Sequence, residues 1–270
     1  MKQRKRLLSV LLVFAMVISL CSSMGTVVAK AAEGGVTFVS RTDFVSKLEE
    51  MNAAFTGFDD EGNTTIKSIT FAYAAPDDGY TMSDVNFAES ETEVIHGAYK
   101  ETEDGSGYDV YVWAGNGAKI MAPEYCSSLF RGCKGVQTFD FTNFDTSNVT
   151  TMNGMFWNCQ NLENLNLSGW ANSNVTDMTA MFRACTNLKE IEFSDFNTSN
   201  VTNMFSMFYD CTSLETLDLS SFDTSNVELI YYMFFNCSNL KQVNVTSVVT
   251  HLYLDKPNPL FRDWNIKLWV

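Results

Sequence analysis

Apolar and polar residues recur with a fixed period of 26 residues between positions 126 and 250. Cysteine occupies one position of the period, at Cys133, Cys159, Cys185, Cys211 and Cys237. A fixed period of this length indicates a repeat architecture. A single unit of this size cannot enclose a core, so we expect each unit to bury its apolar edge against the next one.

The pattern inside one unit, residues 152–177, predicts a short helix followed by a short strand. Apolar residues first fall at i, i+3, i+4 and i+7, on one face of about two helical turns: Met152, Met155, Phe156 and Cys159. A Leu-x-x-Leu-x-Leu pattern follows, and its end alternates as a strand does: Leu162, Leu165 and Leu167. A polar loop at 172–176 closes the unit with turn and cap residues.

These units predict an α/β repeat solenoid of about five coils over residues 120–250, with a parallel sheet on one side and helices or 3₁₀ turns on the other. Residues 32–119 do not repeat. They predict a small α+β capping region with a helix at 41–53 and strands at 66–73, 94–100 and 108–113. A separate ligand-binding domain is the alternative. Residues 251–270 are predicted to be a C-terminal cap, with a last strand at 248–254.

The repeated cysteines are predicted to form a column of buried, unpaired thiols. A free cysteine behaves as a small apolar side chain and is among the most buried residue types. Disulfides are possible in an exported protein. However, an odd number of repeat cysteines argues against systematic pairing, and no close Cys or His pair favours a metal site.

The N-terminus predicts a signal peptide at residues 1–31. A basic leader precedes an apolar run from Leu7 to Leu20, and Ala29-Lys30-Ala31 offers small residues for cleavage. The run of about 14 residues is shorter than a membrane-spanning helix needs. A retained anchor and a lipid-modified Cys21 are the alternatives. We therefore expect a secreted or cell-surface protein without membrane insertion after cleavage.

The chain is acidic, with 18 basic and 32 acidic residues and a net charge of −14. Cleavage would remove five basic residues and leave 13, so the mature net charge would be about −19. Such a charge repels phosphate backbones. Nucleic acid and anionic membrane surfaces are therefore excluded as expected partners.

No catalytic constellation is evident. The two histidines, His96 and His251, are far apart, and serine recurs at one loop position in every copy, which indicates turn geometry. Two acidic residues could form a glycosidase pair, so a secreted hydrolase is kept as a less favoured alternative. Acidic loops at 59–61 and 77–78 lack the ligand spacing of a calcium loop. We expect no enzyme activity, cofactor or metal.

Two solvent-facing columns are the candidate partner-binding sites. The first, here called the edge ladder, follows the repeated Phe by one residue: Arg131, Trp157, Arg183, Tyr209 and Phe235. The second, the strand strip, lies on the predicted strands: Asp140, Asn166, Glu192, Asp218 and Asn244. Aromatic and Arg residues are enriched at interface hot spots. Packing between coils is the alternative for the edge ladder, and simple solvation is the alternative for the strand strip.

The repeat unit resembles that of the BspA-like bacterial surface proteins with leucine-rich repeats. The clearest copy is Met207, Phe208, Cys211, Leu214, Leu217, Leu219, Ser220, Phe222, Thr224, Ser225, Asn226 and Val227. Trp170 departs from it by replacing Phe, and residues 228–230 by losing the Val-Thr-x-Met ending.

The resemblance covers about half of the chain. It implies a leucine-rich-repeat stack, no chemistry and no cofactor, and a role in adhesion or protein binding to extracellular proteins or matrix of host or neighbouring cells. A structural spacer in a larger surface layer is the alternative function.

Overall fold

A computed structural model of the protein describes residues 35–55 and 63–245 and the strand 267–269. The predicted signal peptide, the predicted strand at 248–254 and most of the predicted C-terminal cap lie outside these residues. Within the described part, no helix has the length and apolar character needed to cross a membrane.

The described residues of the N-terminal region form one helix and six strands, of which the helix and three strands lie close to where the sequence predicts them. The helix α1 spans Arg41–Met51, and its buried face consists of Phe44, Leu48 and Met51. The strands are β1 (Val36–Thr37), β2 (Ile66–Ala72), β3 (Thr81–Ser83), β4 (Ile95–Glu101), β5 (Tyr108–Ala114) and β6 (Ile120–Met121). A 3₁₀ turn at Gly115–Gly117 links β5 to β6.

The N-terminal region and the first repeat share two sheets. The first repeat contributes β7 (Thr138–Asp140) and β8 (Phe144–Asp145). One sheet has the order β3-β4-β5-β2-β7, and another has the order β1-β6-β8. Strand β2 pairs in parallel with both β5 and β7. The N-terminal region is therefore joined to the first repeat by backbone hydrogen bonds.

Each later repeat contributes one short strand. These are β9 (Asn164–Asn166), β10 (Glu190–Glu192), β11 (Thr216–Leu219) and β12 (Gln242–Val245), and β13 (Lys267–Trp269) follows. Strand β9 pairs in parallel with β10. Strands β11, β12 and β13 form a further parallel sheet. Isolated parallel bridges from Tyr125 through Thr151, Asp177 and Asn203 to Leu229 link neighbouring repeats at the same position.

The predicted fold class, an α/β leucine-rich-repeat solenoid with helices opposite one parallel sheet, is wrong. The regular elements of the described residues are mostly short β-strands, in several small separate sheets, and their one α-helix lies in the N-terminal region. The strands of the repeats do not form one continuous sheet, because β9-β10 and β11-β12-β13 are separate.

The segments predicted to be helical form tight turns because two residues in each have positive φ. In the second repeat these are Gly154 (φ 59°) and Asn158 (φ 67°). Left-handed residues interrupt a right-handed helix. Alternate backbone N–H groups then bond to the next repeat: the Phe130 N–H donates to Met155 O at 2.9 Å, and the Phe156 N–H donates to Met181 O at 2.9 Å.

The core of the repeats is built from columns of identical side chains. Phenylalanine rings stack from one repeat to the next, with centroids 5.3–5.7 Å apart: Phe130, Phe156, Phe182, Phe208 and Phe234. Buried Met, Cys, Leu and Val residues line the same interior. Neighbouring repeats thus bury each other's apolar edges, as the 26-residue period predicts.

The N-terminal region closes the first end of this core. The ring of Phe44 on α1 packs against Phe130 at 5.7 Å, and Phe71 on β2 packs against the same ring at 5.9 Å. Arg41 Nη1 donates to Leu129 O at 3.2 Å. Helix α1 and strand β2 therefore cover an apolar face that a stacked repeat covers elsewhere.

The prediction of buried, unpaired thiols is confirmed for the five repeat cysteines, and Cys126 is also a buried free cysteine. In four repeats the thiol donates to the carbonyl oxygen of the stacked Phe of the preceding repeat, at 2.9–3.2 Å: Cys159, Cys185, Cys211 and Cys237. Burial raises the pKa of the Cys185 thiol to about 12. The cysteines therefore act as small apolar residues whose S–H groups bond a neighbouring repeat.

These thiols are expected to resist alkylation while the protein is folded. All six side chains are buried, and at Cys185 a raised pKa also keeps the thiol protonated at pH 8, whereas the thiolate is the reactive form. Mass spectrometry after iodoacetamide treatment should find Cys126 and the five repeat cysteines unmodified. All six should react after denaturation without reductant. Mass shifts that indicate disulfides, or rapid labelling of the native protein, would contradict this structure.

Candidate binding surfaces

The edge ladder is positioned by the tight turn that follows the repeated methionine. In the second repeat, the Trp157 N–H closes the turn by donating to Gly154 O at 2.9 Å. The carbonyl oxygen of Trp157 accepts a bond from the Gly132 N–H at 2.9 Å. Phe156 lies in the core, so the next side chain is directed to the surface. The same two backbone contacts recur at Arg183, Tyr209 and Phe235.

The side chains of the edge ladder stack on one another from the first repeat to the last. The guanidinium carbon of Arg131 lies 4.1 Å from the centroid of the Trp157 ring. Arg183 lies between two rings, 5.2 Å from Trp157 and 4.3 Å from Tyr209. Tyr209 stacks on Phe235 at 4.8 Å with an interplanar angle of 19°. All five side chains are half-buried.

Both interpretations of the edge ladder thus have a physical basis. Contacts between repeats exist, and cation–π contacts of this kind contribute about 0.5–1 kcal/mol each at exposed sites. The partial exposure leaves one edge of each ring and guanidinium open to solvent. The contacts also restrict the rotamers of these side chains, which lowers the entropy that a partner would have to remove on binding.

The strand strip lies where each short strand ends. Four of its members, Asp140, Asn166, Glu192 and Asp218, are exposed, and Asn244 is half-buried. In each of those four the side-chain oxygen accepts the backbone N–H two residues later, at 2.8–3.2 Å. This contact turns the chain out of the strand. A structural role therefore accompanies solvation at these positions.

Hydrogen bonds to Asp218 in the strand strip lower the pKa of its carboxyl group. Burial alone would raise the pKa of its carboxyl group, but hydrogen bonds from Ser220 and Asn244 outweigh burial and lower it. Asn244 Nδ2 donates to Asp218 Oδ2 at 3.1 Å across the repeat boundary. Asp218 therefore stays ionised at neutral pH and keeps the strip acidic at this point.

The loop asparagines of the Asn-Val-Thr sequences also link repeats. Asn174 Nδ2 donates to Ser147 O at 2.9 Å, and Asn200 Nδ2 donates to Ser173 O at 2.7 Å. Each of these side chains therefore ties its loop to the preceding repeat. His96 stacks on Trp113 at 5.0 Å on the N-terminal sheet. The described residues contain no group of three or more His, Cys, Asp or Glu that could hold a metal ion.

Sequence reasoning missed a cleft where the N-terminal region meets the first two repeats. Tyr73, Lys119, Asp140, Phe141, Asn166 and Trp170 are among its lining residues, and its volume is about 510 Å³. Its one sequence signal was Trp170, which stands where other repeats have Phe.

Comparison with known proteins shows a family similarity for the repeats. Residues 124–248 are similar to a family model described as "Mycoplasma protein of unknown function, DUF285". This stretch coincides with the repeats and leaves out the N-terminal region. No curated protein and no solved structure matches the chain.

Proposed function

We propose that this chain is an exported bacterial surface protein that binds extracellular proteins of a host or of neighbouring cells through the edge ladder. The observation that carries the proposal is the stack from Arg131 to Phe235, which is half-exposed and held in one arrangement before any partner arrives. The resemblance to BspA-like surface proteins and the predicted signal peptide support the location.

The chemistry of the edge ladder favours a protein partner with both apolar and acidic groups. Trp, Tyr and Arg are the residue types enriched at interface hot spots. A guanidinium that stacks on aromatic faces still presents N–H groups at its edge, which suit carboxylates and carbonyls. Two arginines, Arg131 and Arg183, lie in the ladder of a chain with net charge −14. The ladder is thus a locally basic site that attracts acidic surfaces, whereas the net negative charge of the chain repels them.

Replacing both Trp157 and Tyr209 by Ala is expected to weaken partner binding about 30-fold while the protein stays folded. Hot-spot truncations cost about 2 kcal/mol or more, and a tenfold change in affinity corresponds to about 1.4 kcal/mol. The melting temperature should fall only by about 5 °C, because the lost contacts are partly exposed. Saturation binding of the full chain to purified extracellular-matrix proteins and to a host cell-surface extract measures the first effect, and calorimetry measures the second.

Lys189→Ala is a suitable control, because Lys189 forms an exposed ion pair with Glu163 on the strand side of the repeats. This variant should bind as the parent chain does. If the double variant binds normally, or if its melting temperature collapses, the ladder serves packing alone. Absence of saturable binding by the parent chain would favour the structural-spacer alternative instead.

A further inference from the structure

The cleft between the N-terminal region and the first two repeats is separate from the edge ladder. Its walls come from Tyr73 after β2, Lys119 before β6, the segment from β7 to β8, and the turn at Trp170. A volume of about 510 Å³ lies within the range of about 300–1,000 Å³ that is typical of small-ligand pockets. A smaller cleft of about 260 Å³ lies at the equivalent strand ends two repeats further along, at Glu192 and Asp218. The larger cleft differs from it because Tyr73 and Lys119 of the N-terminal region supply part of its wall.

Aromatic side chains form much of its wall. Phe141 contacts Trp170 edge-to-face at 4.9 Å and stacks on Phe71 at 5.6 Å. Phe141 is half-buried, and Tyr73 is 47% exposed. Rings held in this way offer flat apolar surfaces to a ligand, and such surfaces suit the C–H faces of a sugar ring.

Polar groups of both kinds stand at the rim. Asp140 Oδ1 accepts two bonds from Thr142, at 2.9 and 2.6 Å, and Asp140 Oδ2 has no hydrogen-bond partner within the described chain. Asn166 Oδ1 accepts the Ser168 N–H at 2.8 Å, and its amide nitrogen has no partner in that same part of the chain. The rim therefore has one acceptor, Asp140 Oδ2, and one donor, the Asn166 amide, that can bond to a ligand. A ligand with several hydroxyl groups can use both, because a hydroxyl group donates and accepts.

Two further polar atoms in the wall are buried without a partner in the structure. These are the indole N–H of Trp170 and Asn143 Oδ1. An unsatisfied buried group is destabilising. The equivalent positions of other repeats avoid this cost, because Phe144, Phe196 and Phe222 carry no polar atom. The extra N–H of Trp170 thus has no role in stacking, and it belongs to a residue that lines the cleft.

Charge in the cleft argues against an anionic ligand. Lys119 Nζ is 2.7 Å from Asp145 Oδ2, so this pair is internally neutralised. Asp140 then leaves the cleft with a net negative charge, in a chain whose own net charge is −14. From the aromatic walls, the mixed donors and acceptors and this charge, we infer that the cleft binds a neutral saccharide.

Titration of the full chain with cellotetraose, chitotetraose and mannotetraose tests this inference. The indole N–H signal of Trp170, assigned from the Trp170→Phe variant, should shift saturably with at least one of these neutral probes. Tetragalacturonate, which is similar in size but anionic, should bind at least tenfold more weakly. Asp140→Asn should weaken the neutral probe about tenfold, as expected for loss of a charged acceptor.

The Trp170→Phe variant separates ligand binding from packing. It should weaken the neutral probe about fivefold, because one donor is lost, and it should raise the melting temperature of the free protein slightly, because an orphan N–H is removed. Asn166→Ala should weaken binding, whereas Asn244→Ala, at the same strip position in the last repeat, should not. The Trp157 and Tyr209 variants should also leave saccharide binding unchanged, so the two binding proposals can fail independently.

Three results would overturn the inference. They are no saturable shift with any neutral probe, binding of tetragalacturonate as tight as that of the neutral probes, or equal losses from Asn166→Ala and Asn244→Ala.

Discussion

Phe182→Ala is expected to lower the free energy of unfolding by about 4 kcal/mol, the typical cost of removing a fully buried aromatic side chain. Phe182 lies in the middle of the ring column, stacked on Phe156 at 5.7 Å and on Phe208 at 5.3 Å. The change therefore leaves a cavity at two repeat boundaries at once. Fixed backbone bonds between repeats limit how far the neighbours can close it.

Urea denaturation followed by circular dichroism would measure this loss. Phe182→Leu keeps most of the volume and should cost roughly 1.5 kcal/mol. Phe205→Ala is a matched control on the neighbouring repeat, because Phe205 is half-buried outside the core, and it should cost less than the central substitution. Equal losses at positions 182 and 205 would mean that the ring column does not carry the core.

Gly135→Ala is expected to lower the free energy of unfolding by about 3 kcal/mol, at the upper end of the range for overpacking. A Cβ atom at this position would meet the carbonyl carbon of Thr64 at 2.5 Å and the oxygen of Ile66 at 2.7 Å. The obstacles are backbone atoms and cannot rotate away. Strand β2 would have to move from the first repeat, which would also disturb the Gly135 N–H bond to Asn63 O.

Gly115→Ala is the matched control. Apart from the neighbouring residues, the atom nearest to an added Cβ would be His96 Nε2 at 3.9 Å, which is an ordinary contact. This variant should change the unfolding free energy by less than about 0.5 kcal/mol, as for a surface substitution. Thermal unfolding of both variants separates the outcomes. A stable Gly135→Ala protein would show that the N-terminal region is not pressed against the repeats.

Periodicity was sufficient to predict which side chains are buried in each repeat. Cys159, Cys185 and Cys211 lie inside one interior, and the Phe, Met and Leu columns accompany them. Such columns follow from the repeat length alone, because units that stack in register bring equal positions together. The helix of the N-terminal region was predictable for a similar reason, since its apolar spacing is local.

Periodicity was not sufficient to predict the backbone that carries those side chains. Apolar residues at i, i+3, i+4 and i+7 fit a helix, but they also fit consecutive tight turns. Gly154 indicated a turn at this position, since glycine adopts positive φ readily. Ala180 and Ala184 adopt φ of 53° and 59° in the next repeat without such a sign. Hydrogen bonds between repeats impose these angles, and a pattern within one repeat does not predict such bonds.

The cleft could not be predicted because its walls are distant in the chain. Tyr73 and Lys119 belong to the non-repeating region, whereas Phe141 and Trp170 belong to successive repeats. Their proximity depends on the pairing of β2 with β7 and of β6 with β8. The strand strip and the edge ladder were accessible to sequence reasoning because each repeats the same position along one direction.

The spacing of the contacts between repeats limits how chains of this kind can change in length. Thr176 Oγ1 bonds to Thr150 O and Thr202 Oγ1 bonds to Thr176 O, each across 26 residues. Loss or duplication of one whole unit replaces every such bond by an equivalent one. A single inserted residue would instead misalign all columns beyond it. Evolution can therefore lengthen or shorten this array by recombination between copies, in whole units, while the cap and its cleft stay untouched.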